Sequence, residues 1–143
     1  MKDKLEYVRD WFSKAGSDLR IARREMNAPD AATDAVCFHF QQAVEKMLKA
    51  WLIWNDRTFK PIHNIEVLLA DCEKVDASFQ EIRAAETLTP YAVDVRYADD
   101  IYFPSKEEMT EAAATAAQAE AFILAKFAGM GINPVRENPA GQK

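Results

Sequence analysis

Apolar residues recur along this chain at steps of three and four, while strict alternation is nearly missing, so the pattern predicts helices almost throughout. Leu5, Val8, Trp11, Phe12, Ala15, Leu19, Ala22 and Met26 form a first stripe, which predicts a helix from about Asp3 to Met26 with Gly16 as its weak point. Asn27-Ala28-Pro29 ends it. A second helix starts near Asp30 and reaches Trp54, with Val36, Phe40, Val44, Met47, Trp51 and Trp54 on its core face. Opposite them stand His39, Gln42, Lys46 and Lys49, and Gln41 and Glu45 lie one turn apart on the boundary. Phe38, Leu52 and Ile53 interrupt the polar side, so this rod is covered on more than one face, as a central helix or one at a subunit interface.

After Pro61 a shorter helix runs from His63 to about Lys74, with Ile65, Leu68, Leu69 and Cys72 turned inward. Asp76 and Ser78 are caps for a fourth helix, and Thr89-Pro90 predicts a break near residues 87–89. The helical pattern resumes over Tyr91 to Tyr97 and gives way to a loop with Asp99, Asp100 and Pro104. Ser105-Lys106-Glu107-Glu108 reads as a capping box opening a last, alanine-rich helix to Ala128, with Gly129 as its stop. The expected fold is all-α, an up-and-down antiparallel bundle of about five helices over residues 1–128, followed by a flexible tail over 129–143.

The length of 143 residues fits one domain. Its net charge of -5 is uneven: residues 1–26 carry +2, whereas the stretch from Asp76 to Phe127 carries -6. An acidic chain lacks general attraction for phosphate backbones, so any nucleotide or RNA site must be local. Cys37 and Cys72 sit apart within apolar patterns and read as small buried hydrophobes. No stretch looks like a signal peptide or a membrane span, and a cytoplasmic protein is expected.

Several chemistries find no support in the motifs. Neither His39 nor His63 has a Glu three residues before it, which removes the helical di-metal pattern, and no metal or other cofactor is expected. With four glycines there is no phosphate-binding glycine loop. What remains is a set of polar residues on helix faces and ends: Gln41, Glu45 and Lys49 on the second helix, His63 and Asn64 opening the third, Arg96 and Tyr97 closing the fourth. Arg forks onto phosphate and His transfers protons near neutral pH, so the set suits phosphate recognition or hydrolysis. Equally, Arg96 pairing with Glu45 and His63 capping a helix would account for the same residues structurally.

The succession of Ser17-Asp18-Leu19-Arg20-Ile21-Ala22, Phe40-Gln41-Gln42-Ala43-Val44-Glu45-Lys46-Met47-Leu48-Lys49-Ala50, Pro61-Ile62-His63-Asn64-Ile65-Glu66-Val67-Leu68-Leu69 and Val95-Arg96-Tyr97 resembles a HEPN domain (higher eukaryotes and prokaryotes nucleotide-binding) over about residues 8–127. The resemblance implies a dimeric helical bundle that acts with a minimal nucleotidyltransferase as a toxin-antitoxin-like pair. Catalytic members are metal-independent ribonucleases that use an Arg followed after four to six residues by a His. Arg96 takes the arginine's place, but Ile101, Tyr102 and Phe103 stand where the His would fall. Arg57 and His63 satisfy the bare spacing and are the weak catalytic candidates. The resulting expectation is a homodimeric nucleotide-binding or partner-binding module without catalysis of its own. Arg96 would contact phosphate, His63 and Lys49 would donate, Gln41 and Glu45 would hold base or ribose, and Tyr97 would stack. The alternative is a metal-independent endoribonuclease toxin.

Overall fold

The computed structural model describes residues 1–93 and 101–136 in full, together with the backbone of 96, 97 and 100. Among these, four α-helices and one long 3-10 segment follow each other as a helical bundle: α1 (Lys4–Met26), α2 (Thr33–Trp54), α3 (Ile65–Val75), the 3-10 segment (Ala77–Ala92) and α4 (Lys106–Gly129). A hairpin of two-residue strands, β1 (Arg96–Tyr97) and β2 (Asp100–Ile101), stands before α4, with Arg96 opposite Ile101 and Tyr97 opposite Asp100. No described helix is long and apolar enough to cross a membrane.

The helix ends follow from local chemistry. Asp3 and Glu6 form a reciprocal capping box at the start of α1, and Ser105 and Glu108 form the expected one at the start of α4. The second helix begins at Thr33 rather than Asp30. Its cap position holds Ala32, whose N–H is instead satisfied at 2.8 Å by the Glu25 carboxylate of α1. At its far end Asp56 adopts φ 58°, Asp56 N–H meets Ile53 O and Arg57 N–H meets Leu52 O, which is a Schellman closure with aspartate in the left-handed position. Asn64, not His63, caps α3 by accepting from Val67 N–H at 3.1 Å. The stop of α4 is Gly131, at φ 73°, and not Gly129, which stays helical.

The fourth helix differs most from expectation. Its buried residues Phe79, Ile82, Ala85 and Leu88 are spaced by three, the repeat of a 3-10 turn, over two helical stretches that meet at Ile82. The interruption falls at Ile82 (φ -112°, ψ 28°) instead of at residues 87–89, and the segment ends at Ala92, so Arg96 and Tyr97 belong to a strand and do not close a helix. Asp76 anchors the start: its carboxylate accepts from Ser78 N–H at 3.0 Å and Ser78 Oγ at 2.6 Å and pairs with Lys126 of α4 at 2.8 Å. Bonds from Lys126 and Ser78 hold its carboxyl down at about 2. Asp76→Ala is expected to cost about 1 kcal/mol in denaturant melts at neutral pH. The wild-type advantage is present above the unfolded carboxyl range and fades as pH falls toward about 2.

The core confirms α2 as the central rod. It packs against α1, α3, the 3-10 segment and α4. Five rings run through the middle of the bundle: Phe12 lies 5.7 Å from Phe127, which lies 5.3 Å from Trp51, and Trp51 and Phe122 flank Phe79 at 5.2 and 5.0 Å. Leu52 is fully buried within the chain, so it offers nothing to a partner, whereas Phe38 is 37 % exposed. Cys37 and Cys72 are both buried free thiols, and burial pushes the Cys37 thiol up to about 11 and the Cys72 thiol higher. Beyond α4, where composition suggested a flexible tail, the described part up to Arg136 lies against α1. Arg9 Nε donates to Asn133 O at 3.0 Å, Arg136 donates to Ser13 Oγ and to the Asp10 carboxylate, and Pro134 is buried.

Candidate functional site

Glu45 is the hub of the expected site. Midway along α2, its carboxylate is 2 % exposed and takes three donors: Gln41 Nε2 at 2.9 Å, Lys49 Nζ at 2.7 Å and His63 Nδ1 at 3.0 Å. Gln41 and Lys49 sit one turn to either side on the same helix, and Gln42 Nε2 closes the row by donating to Gln41 Oε1 at 2.7 Å. Burial pushes the Glu45 carboxyl up, but bonds from Lys49 and Gln41, the Lys49 charge and the His63 bond outweigh it, and the net displacement is downward. The carboxylate is therefore an anion near neutral pH.

Periodicity placed Lys49 on the wet side of α2, yet it is 6 % exposed. Trp11 of α1 and Phe59 of the α2–α3 connection cover it, with Nζ 5.5 and 5.4 Å from their ring centroids, and the two rings meet edge to face at 6.2 Å. Of Glu45 and its three donors only His63 reaches solvent, its side chain 57 % exposed. An anionic carboxylate only accepts, so Nδ1 carries the proton on this bond and Nε2 is the ring's second site.

A second polar junction was not foreseen. Asp18 of α1, 7 % exposed, accepts from His39 Nδ1 at 2.8 Å and Lys46 Nζ at 2.5 Å, both from α2. The signal was an acid standing on the apolar stripe of α1 between Ala15 and Ala22, where burial demands partners from the facing helix.

The other expected residues are not gathered at Glu45 by any described contact. Arg57 is exposed in the α2–α3 connection, and among the described residues no hydrogen bond or ion pair joins it to His63. The side chains of Arg96 and Tyr97 lie outside the described residues. Their hairpin follows Val93 and precedes Tyr102, which line a groove nearer the start of α2. That groove comprises a cleft of about 650 Å3 between the 3-10 segment and α4, and a smaller one of about 360 Å3 reaching Asp34 and Phe38 of α2. Pro90, Tyr91 and Tyr102 line both, and the two tyrosine hydroxyls donate to Glu108. Along α2, Phe38 is about 10 Å of helix rise from Glu45. Among the described residues no three His, Cys, Asp or Glu side chains are grouped as a metal's ligand set.

Comparison with known proteins bears on this architecture directly. The HEPN domain family matches residues 8–125, which take in α2 and α3 whole, most of α1 and α4, and both polar junctions. This chain belongs to the HEPN family. A solved relative, the crystal structure of TT1696 from Thermus thermophilus, superposes on this HEPN domain with a TM-score of 0.70 at 30 % sequence identity, covering 83 % of this chain and 97 % of that one. No curated protein matches the chain. In the HEPN domain described above, the segment Phe40 to Ala50 that carried the resemblance is the one that builds the Glu45 hub.

Proposed function

We propose that this HEPN domain is a nucleotide-binding module that works as a homodimer beside a minimal nucleotidyltransferase in a toxin-antitoxin-like pair, and that it has no catalysis of its own. One observation carries the reading: the Glu45 hub is saturated from inside the protein, and it presents a single group, the His63 imidazole, to the outside. An imidazole oriented by a buried carboxylate, with no guanidinium bonded beside it among the described residues, is suited to contacting a phosphate or base and poorly equipped for acid-base catalysis by itself. Gln41, Glu45 and Lys49 then act behind His63 by fixing its ring, while Arg96 contacts phosphate and Tyr97 stacks.

An interface role draws support from the other end of the bundle. Phe38 and Val93 line the groove with exposed apolar surface, and Ile101 and Phe103, also exposed, flank Tyr102 in the sequence. The test is a calorimetric titration of ATP into wild type, His63→Ala and Arg96→Ala, run with sedimentation and copurification of the neighbouring gene product. Each substitution is expected to weaken binding about tenfold, the loss of one charge-assisted contact. A wild type that binds no nucleotide at millimolar concentration contradicts the nucleotide reading. Cleavage of RNA in the presence of a chelator, lost in His63→Ala or Arg57→Ala, would establish the endoribonuclease instead.

A further inference from the structure

The seam between α1 and α2 opens at its edge into a depression of about 430 Å3 lined by Asp10, Trp11 and Lys14 of α1 and Lys46 of α2. Local charge there runs against the net of -5 for the whole chain. Each carboxylate at this edge is claimed twice: Asp10 by Lys2 at 2.5 Å and Arg136 at 2.6 Å, Asp18 by Lys46 at 2.5 Å and His39 at 2.8 Å. Lys14 is exposed and makes no ion pair or hydrogen bond among the described residues. Positive charge is thus in excess around a concavity whose wall is an indole. Trp11 is braced, with the Phe59 ring perpendicular to it at 6.2 Å and the Lys49 ammonium 5.5 Å from its centroid.

We infer that this depression is the phosphate subsite for a free nucleoside triphosphate, with Lys14 and Lys46 on phosphate oxygens and the Trp11 ring against the base or sugar. The inference rests on the nucleotide-binding reading above and gives the phosphates to Lys14 and Lys46 in place of Arg96 and His63. Three observations combine in it. The volume lies in the range that small-ligand sites occupy. The cation excess supplies the charge that the chain as a whole lacks, and an ammonium engaged with one carboxylate keeps two further N–H donors for a phosphate. The braced ring supplies a flat face at little ordering cost. A cation-driven site also predicts binding that weakens as salt rises.

The experiment measures ATP and inorganic tripolyphosphate binding to the full chain by calorimetry and tryptophan fluorescence, for wild type, Lys14→Gln, Trp11→Phe and His63→Ala. Lys14 has no described partner to lose, so Lys14→Gln keeps the wild-type melting temperature, and it is expected to weaken both ligands about tenfold. Trp11→Phe is expected to abolish the ATP-induced fluorescence change, since Trp51 is buried and Trp54 lies outside this depression. ATP affinity unchanged in Lys14→Gln but lost in His63→Ala would overturn this inference and leave the nucleotide-binding reading standing. A wild type that binds neither ligand would overturn both. A short single-stranded RNA that binds where ATP does not would overturn the free-nucleotide site in favour of a polymer.

Discussion

Glu45→Ala is expected to lower the unfolding free energy by about 3–5 kcal/mol, close to what removing one partner of a buried ion pair costs elsewhere. The size comes from what stays behind rather than from the bonds themselves. Lys49, 6 % exposed, remains beneath Trp11 and Phe59 with no counter-charge, and the fully buried Gln41 amide loses its acceptor. A double replacement, Glu45→Leu with Lys49→Met, removes the stranded charge along with its partner and is expected to recover most of the loss. Denaturant midpoints of the three proteins measure both effects. A single mutant as stable as wild type would mean that Lys49 escapes to solvent.

The same carboxylate gives a pH signature with a definite sign. Its folded value lies below the ordinary 4.5, so its contribution is complete above the unfolded range and disappears as pH falls through the folded value. Wild type should therefore lose stability in acid more steeply than Glu45→Gln, whose amide does not titrate.

Phe127→Ala is the second large expectation, again about 3–5 kcal/mol, with a melting temperature lower by roughly 10 °C or more. Phe127 is completely buried on α4 and touches Phe12 of α1 edge to face and Trp51 of α2 in the same manner. Truncation opens a void where three helices meet, and the neighbouring rings are held by further contacts, Trp51 by Phe79 and Phe79 by Phe122, so they cannot collapse into it freely. Phe122→Ala, at a half-buried position at the end of the ring series, should cost distinctly less. Against a total stability of about 5–15 kcal/mol for such a domain, only the Phe127 change of this pair threatens the folded state itself.

Much of this was legible because helices announce themselves through two local codes. The stripe of three-and-four spacings located α1, α2 and α3, and the Ser105–Glu108 box marked the start of the alanine-rich α4 to the residue. The 3-10 segment escaped because its period is three: Phe79, Ile82, Ala85 and Leu88 also satisfy part of an α-helical pattern, and only the missing steps of four distinguish them. Site residues were less readable. Gln41, Glu45, Lys49 and His63 were identified together, yet Lys49 was placed on the polar face because nothing within α2 reveals that Trp11 and Phe59 close over it from other segments. Asp18 was overlooked for the converse reason, since a polar residue on an apolar face becomes meaningful only once its facing helix supplies His39 and Lys46. The segment from Ile132 to Arg136 carries no periodicity because a strap held by individual hydrogen bonds needs none.

The two thiols of the chain are fully buried, and both resist deprotonation. In its native form the molecule thus offers maleimide dyes and spin labels nothing to react with. A cysteine engineered on any outward position would carry such a probe alone, and interdomain or intersubunit distances could be read from it without first rebuilding the background.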